Sequence, residues 1–95
     1  MTISHEPSES KGRYIARVAD HDESAELTYS RASSALIIID HTGVPDSLRG
    51  KGVGAALAAH VVAEARAGGF KIIPLCPFFK AQAARHNDWS DVVQG

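Results

Sequence analysis

Three glycines at alternate positions, Gly50, Gly52 and Gly54, stand between the apolar run Leu36-Ile37-Ile38-Ile39 and an alanine-rich stretch that ends near Ala67. Glycine leaves main-chain N–H groups uncovered, so a ligand can approach the backbone closely. A helix opening there adds first-turn N–H groups with no internal partner and a partial positive charge. Together these suit a phosphate group, with Arg49 and Lys51 as cationic donors at the rim. Without its setting, the alternation is equally a flexible turn. Its place after a strand and at the opening of a helix favours phosphate. Two further side chains could do chemistry. His41 carries an imidazole able to exchange a proton near neutrality, or is a strand-end histidine held by a hydrogen bond. Cys76 is a candidate nucleophile, or a small buried hydrophobe.

Two common nucleotide motifs fail on the same stretch. A P-loop needs Gly-Lys-Ser/Thr, whereas Val53, Gly54 and Ala55 follow the second glycine. A dinucleotide site needs an acid near the end of the next strand, and Ile72-Ile73-Pro74-Leu75-Cys76 holds none.

The elements that must position these groups follow from periodicity. Residues 1–11 are polar and read as a flexible N-terminal tail, leaving 12–95 as one domain. Residues 13–19 and 26–31 alternate and are β-prone. Asp20-His21-Asp22-Glu23 between them has turn chemistry, and neighbouring side chains at a hairpin tip diverge, which disfavours a metal cluster. The continuous β-branched run 36–39 suits a strand buried on both faces and extends to about Val44. Short turns between the three imply an antiparallel meander. A helix is predicted over 52–67, with Val53, Leu57, Val61 and Ala65 on its packing stripe beside Ala56 and Ala58, and Gly68-Gly69 at its end. A strand follows over 70–76, joined to the third by a parallel crossover. Pro74 interrupts the ladder, so the two parallel strands are expected to part near Cys76. A short helix over 78–86, with Phe78 and Phe79 as core anchors, and a terminal segment packed through Trp89 complete an α+β, mixed α/β fold.

The order strand, Val-Pro-x-x-Leu-Arg-Gly-x-Gly-x-Gly, helix, Gly-Gly, strand, Cys-Pro-Phe resembles the GCN5-related N-acetyltransferases, in particular their small single-domain YjdJ-like or Gtn-type branch. That family's [Gln/Arg]-x-x-Gly-x-[Gly/Ala] signature is matched by Arg49-Gly50-Lys51-Gly52-Val53-Gly54. The branch's His-Thr-Glu-Val-Pro is matched by His41-Thr42-Gly43-Val44-Pro45, and its Cys-Pro-Phe by Cys76-Pro77-Phe78. The resemblance spans about residues 12–93. It implies a compact acetyltransferase fold and acetyl transfer from acetyl-CoA to an amine, with a protein or peptide side chain among the candidate acceptors. It further implies that the main chain of Arg49, Gly50, Lys51, Gly52, Val53 and Gly54 holds the cofactor's pyrophosphate. The pantetheine arm would lie between splayed strands, with the Val44 N–H on the thioester oxygen. His41 would then be the candidate base, and Cys76 would lie near the acetyl group. Two departures stand out. Gly43 replaces the branch's glutamate, and Gln82 stands where the branch often has a tyrosine, whose acidic proton an amide cannot supply. Either could leave a non-catalytic CoA- or acyl-CoA-binding module, the alternative reading. The helices that usually follow the family's first strand are also missing, so an open acceptor surface is expected.

Composition narrows the partners. With 10 Lys and Arg against 11 Asp and Glu, the chain lacks the basic footprint of a nucleic-acid binder. No apolar stretch reaches membrane-spanning length, residues 1–7 show no secretory pattern, and the single cysteine fits a reducing compartment. A cytoplasmic location without nucleic-acid, membrane or metal partners is expected.

Overall fold

The computed structural model describes residues 1–94. Five strands form one sheet in sequence order: β1 (Thr2–Pro7), β2 (Lys11–Arg17), β3 (Ser24–Ser33), β4 (Leu36–Gly43) and β5 (Lys71–Pro74). The first four pair antiparallel, and β5 joins β4 in parallel. A 3₁₀ turn at Asp46–Leu48 leads into α1 (Val53–Gly68), which supplies the β4-to-β5 crossover. The short helix α2 (Pro77–Ala84) and a second 3₁₀ turn, Asn87–Asp91, follow.

Strands β2 to β5 each bury one face, whereas β1 has no fully buried residue. Tyr14 and Ala16 from β2, Ala25, Leu27 and Tyr29 from β3, Ile37 and Ile39 from β4, and Ile72 from β5 all join the core. This is the period-2 alternation of a sheet covered on one side, broken at Ile15, which is buried on the other face. Leu36 and Ile38 are only half-buried, so the run 36–39 is not buried on both faces, contrary to expectation. α1 covers it through Val53, Leu57, Val61 and Ala65, with Gly54, Ala58 and Val62 as the second row. Ala56, expected in that stripe, is only half-buried. No helix intervenes between β1 and β2, and the opposite face of the sheet carries Arg13, Arg17, Glu26, Thr28 and His41. Among the described residues, no helix is long and apolar enough to cross a membrane.

The N-terminal tail expected over 1–11 is instead a strand, which makes the meander four-stranded rather than three. β1 pairs with β2 from Thr2↔Arg17 to Pro7↔Gly12. Its polar composition hides this because only Ile3 and His5 face inward. His5 stacks on Tyr14 with ring centroids 4.2 Å apart, and its Nε2 lies 2.6 Å from the Tyr29 hydroxyl. Order here comes from tertiary contacts, not from local hydrophobicity.

Burial lowers the pKa of His5. Glu64 opposes that shift, while Arg31 and His60 reinforce it. With a folded pKa below the ordinary 6.5, the unfolded chain takes up more protons, so stability is complete above about pH 6.5 and declines as pH falls toward the folded value. Thermal unfolding followed from pH 7 to 5 is expected to show this slope. A His5→Phe variant, which keeps an aromatic ring on Tyr14, should show a flatter profile, and parallel profiles would remove His5 as its source.

Candidate functional site

The loop from β4 to α1 carries the candidate site. Gly50 and Gly52 take left-handed conformations, φ 78° and 73°. Nothing lies within 4 Å of where their Cβ atoms would be, so backbone conformation rather than crowding calls for glycine there. Gly54 answers a different need. A Cβ on it would come within 2.7 Å of the Phe78 ring and 3.4 Å of Val44, so its bareness lets α2 and the end of β4 close on α1.

No N–H of residues 50–55 meets a main-chain acceptor in hydrogen-bonding geometry among the described residues, and neither does that of Val44. These amides border a cleft of about 430 Å³ lined by Thr42, Val44, Gly50, Gly52, Gly54 and Phe78, among others. Arg49 lines it as well and pairs with Asp46 at 3.0 Å on the exposed surface. Lys51 is exposed and does not line the cleft. The cleft therefore joins a row of free donors and a helix N-terminus to an apolar trough, an arrangement suited to a ligand with a phosphorylated head and a long arm. The trough opens where the ladder stops. β4 and β5 pair only from Leu36↔Lys71 to Ile39↔Pro74, closed by the Cys76 N–H on the Ile39 carbonyl at 3.0 Å.

A family model described as GCN5-related N-acetyl-transferase matches residues 13–92. The chain belongs to the GCN5-related N-acetyltransferase family. Its fold is similar to the NMR solution structure of a GCN5-like protein from Staphylococcus aureus, with a TM-score of 0.69 and 38% sequence identity over 97% of this chain and 88% of that one. No curated protein matches the chain.

Within this acetyltransferase fold, neither His41 nor Cys76 lines the cleft. In the β3–β4 ladder Thr28 faces His41, but Tyr29 faces Ile39, so Asp40 is an extra residue, a β-bulge. An inserted residue reverses the alternation beyond it. Ile37 and Ile39 point inward, Asp40 and His41 are both exposed, and Thr42 instead of His41 lines the cleft. Asp40 is tethered on the outer face by the Ser30 hydroxyl at 2.7 Å. A Cβ built on Gly43 would lie 3.3 Å from His41 Nε2, as expected for two residues on that same outer face.

Cys76 is 3% exposed and does not line the cleft. Its Sγ is 3.5 Å from Thr42 Oγ1, one layer behind the cleft wall. A covalent acetyl carrier needs an approachable thiol, so this placement favours the small buried group over the nucleophile. Phe78, expected in the core, is 37% exposed and walls the cleft, while Phe79 is fully buried. Gln82 also reaches the cleft. Thr42, Phe78 and Gln82 had no role as lining residues in the sequence. The first two depend on an unannounced bulge and on the facing of a short helix, whereas Gln82 was visible only as a departure from the branch.

Proposed function

We propose that the protein is an acetyl-CoA-dependent N-acetyltransferase acting on an amine. The observation that carries this reading is the run of unengaged N–H groups from Gly50 to Ala55, of which all but Lys51 belong to residues that line the cleft. The main chain at Gly50, Gly52, Val53 and Gly54 would hold the pyrophosphate, with the Lys51 N–H in the same row and Arg49 at the rim. Bound acetyl-CoA supplies the activated acetyl group. The Val44 N–H is the donor assigned to the oxygen that gains charge during transfer, an interaction worth about 3–4 kcal/mol where such donors have been removed.

Transfer forms a C–N bond from the amine lone pair and breaks the C–S bond, whose electron pair leaves with sulfur. The amine nitrogen sheds one proton, and the thiolate takes one up. His41, on the outer face beside Gly43, is assigned to receive the amine proton, so the acceptor approaches from that face. Thr42 is the hydroxyl on the cleft side. It stands ready as a hydrogen-bond donor, a capacity that Gln82 shares only as an amide.

The test is calorimetric titration with coenzyme A, followed by release of free thiol from acetyl-CoA with a panel of primary amines. Saturable binding and acceptor-dependent release are expected. Binding with no release across the panel would support the non-catalytic module instead, and no binding would overturn both.

A further inference from the structure

The outer face of the sheet holds a second concavity, of about 510 Å³, lined by Arg13, Ile15, Arg17, Glu26, Gly43 and Val44, among others. Val44 also lines the glycine-loop cleft, so one residue separates the two. Among the described residues β4 has no strand partner on its β5 side from Asp40 to Gly43, so no further strand walls one concavity from the other. We infer that this groove is the acceptor site and that it selects a primary amine carrying a carboxylate on the same molecule; the inference rests on the acetyltransferase reading.

The groove's charges define the class. Glu26 lies directly across the ladder from Gly43, on which a Cβ would lie 3.3 Å from His41 Nε2; His41 itself pairs with Thr28 and stands at the edge of the groove rather than in its lining. The Glu26 Oε2 pairs with Arg13 at 3.1 Å, while Oε1 has no partner among the described residues. Arg13 is already shared between Glu26 and Glu6, the latter at 3.0 Å. Arg17 makes no ion pair among the described residues, and it borders the groove at its hairpin end. The groove therefore presents one half-free carboxylate near His41 and one free guanidinium farther along β2. Ile15 faces Glu26, and Arg17 is two residues beyond it, so the two charges are separated by about 7 Å of strand rise. An ammonium at Glu26 and a carboxylate at Arg17 match an amino-carboxylate with a spacer of a few methylenes. Guanidinium–carboxylate pairing is the directional half of that recognition. Ammonium held at Glu26 gives one proton to His41 as it becomes the nucleophile, and the second proton, shed when the C–N bond forms, is the one the thiolate takes up. A simple alkylamine would leave Arg17 unused, and a diamine would place a second cation against it.

The experiment compares three acceptors of equal length, 5-aminopentanoate, pentylamine and 1,5-diaminopentane, with acetyl-CoA on the full chain. Wild type is expected to prefer the amino-carboxylate at least tenfold in kcat/KM over either competitor. Arg17→Gln should erase that preference while leaving CoA affinity unchanged. Glu26→Gln should raise the KM of all three amines and also leave CoA affinity unchanged. Equal use of the three, preference for the diamine, or turnover of none of them by protein that binds CoA would overturn the inference. Absence of CoA binding would instead overturn the acetyltransferase reading. The groove would then be judged by NMR titration with 5-aminopentanoate alone, where no shift at Arg17 and Glu26 counts against it.

Discussion

A Gly52→Glu variant is expected to lose coenzyme A affinity by about 100-fold or more, roughly 2.8 kcal/mol of binding free energy, while remaining folded. Gly52 is the N-cap of α1, left-handed at φ 73°, with open space where its side chain would be. A glutamate therefore meets no clash. Its costs are local backbone strain of about 1–2 kcal/mol and a carboxylate placed beside the row of free N–H groups. A charge near a helix N-terminus is welcome to the helix itself, which helps keep the variant folded. The same carboxylate competes for the donors and repels a ligand that is itself anionic there. At 4 Å and intermediate screening, one pair of like charges already costs about 4 kcal/mol. Strain and charge are separated by Gly52→Asn, since asparagine tolerates the left-handed conformation and brings no charge. That variant should keep affinity within a few-fold. Calorimetric titration measures both, with circular dichroism as the folding control. A glutamate variant that titrates like wild type would exclude this loop as the phosphate cradle.

The glycine loop was legible because its signal is local. Left-handed turns demand glycine, and the strand before and helix after announce themselves through β-branched and alanine-rich runs. The parallel β4–β5 pairing and its early end followed from crossover length and Pro74. What escaped depends on contacts distant in sequence. β1 is held by stacking of His5 on Tyr14 and by its approach to Tyr29, neither of which the polar stretch 1–11 reveals. The bulge at Asp40 carries no mark in Leu36-Ile37-Ile38-Ile39-Asp40-His41, yet that one extra residue decides which face His41 occupies. Gly54 illustrates a subtler confusion. It sits in the phosphate-like pattern, but the ring of Phe78, 24 residues later, is what its missing side chain accommodates. A motif gives residue types in order; the facing of each comes from the ladder register.

That register leads to the other large expected effect, at His41. Replacing His41 by alanine should lower kcat/KM about 100-fold near neutral pH with CoA affinity intact, the scale of a lost general base. Because the acceptor must react as the free amine, the deficit should shrink as pH rises toward the amine's own pKa and more of it arrives deprotonated. Wild type should not show that late recovery. Cys76→Ala is the opposing test. Cys76 is buried behind Thr42, so its loss should disturb packing and leave turnover within a few-fold, with no acetylated protein detected by mass spectrometry after incubation with acetyl-CoA alone. The two variants discriminate between routes. In direct transfer, proton removal is on the path and the thiol is scenery. In a covalent route, the thiol must first leave its place against Thr42 Oγ1 and enter the cleft. A dead Cys76→Ala enzyme beside a fully active His41→Ala enzyme would require that movement, and with it an acceptor approach different from the one the outer face offers.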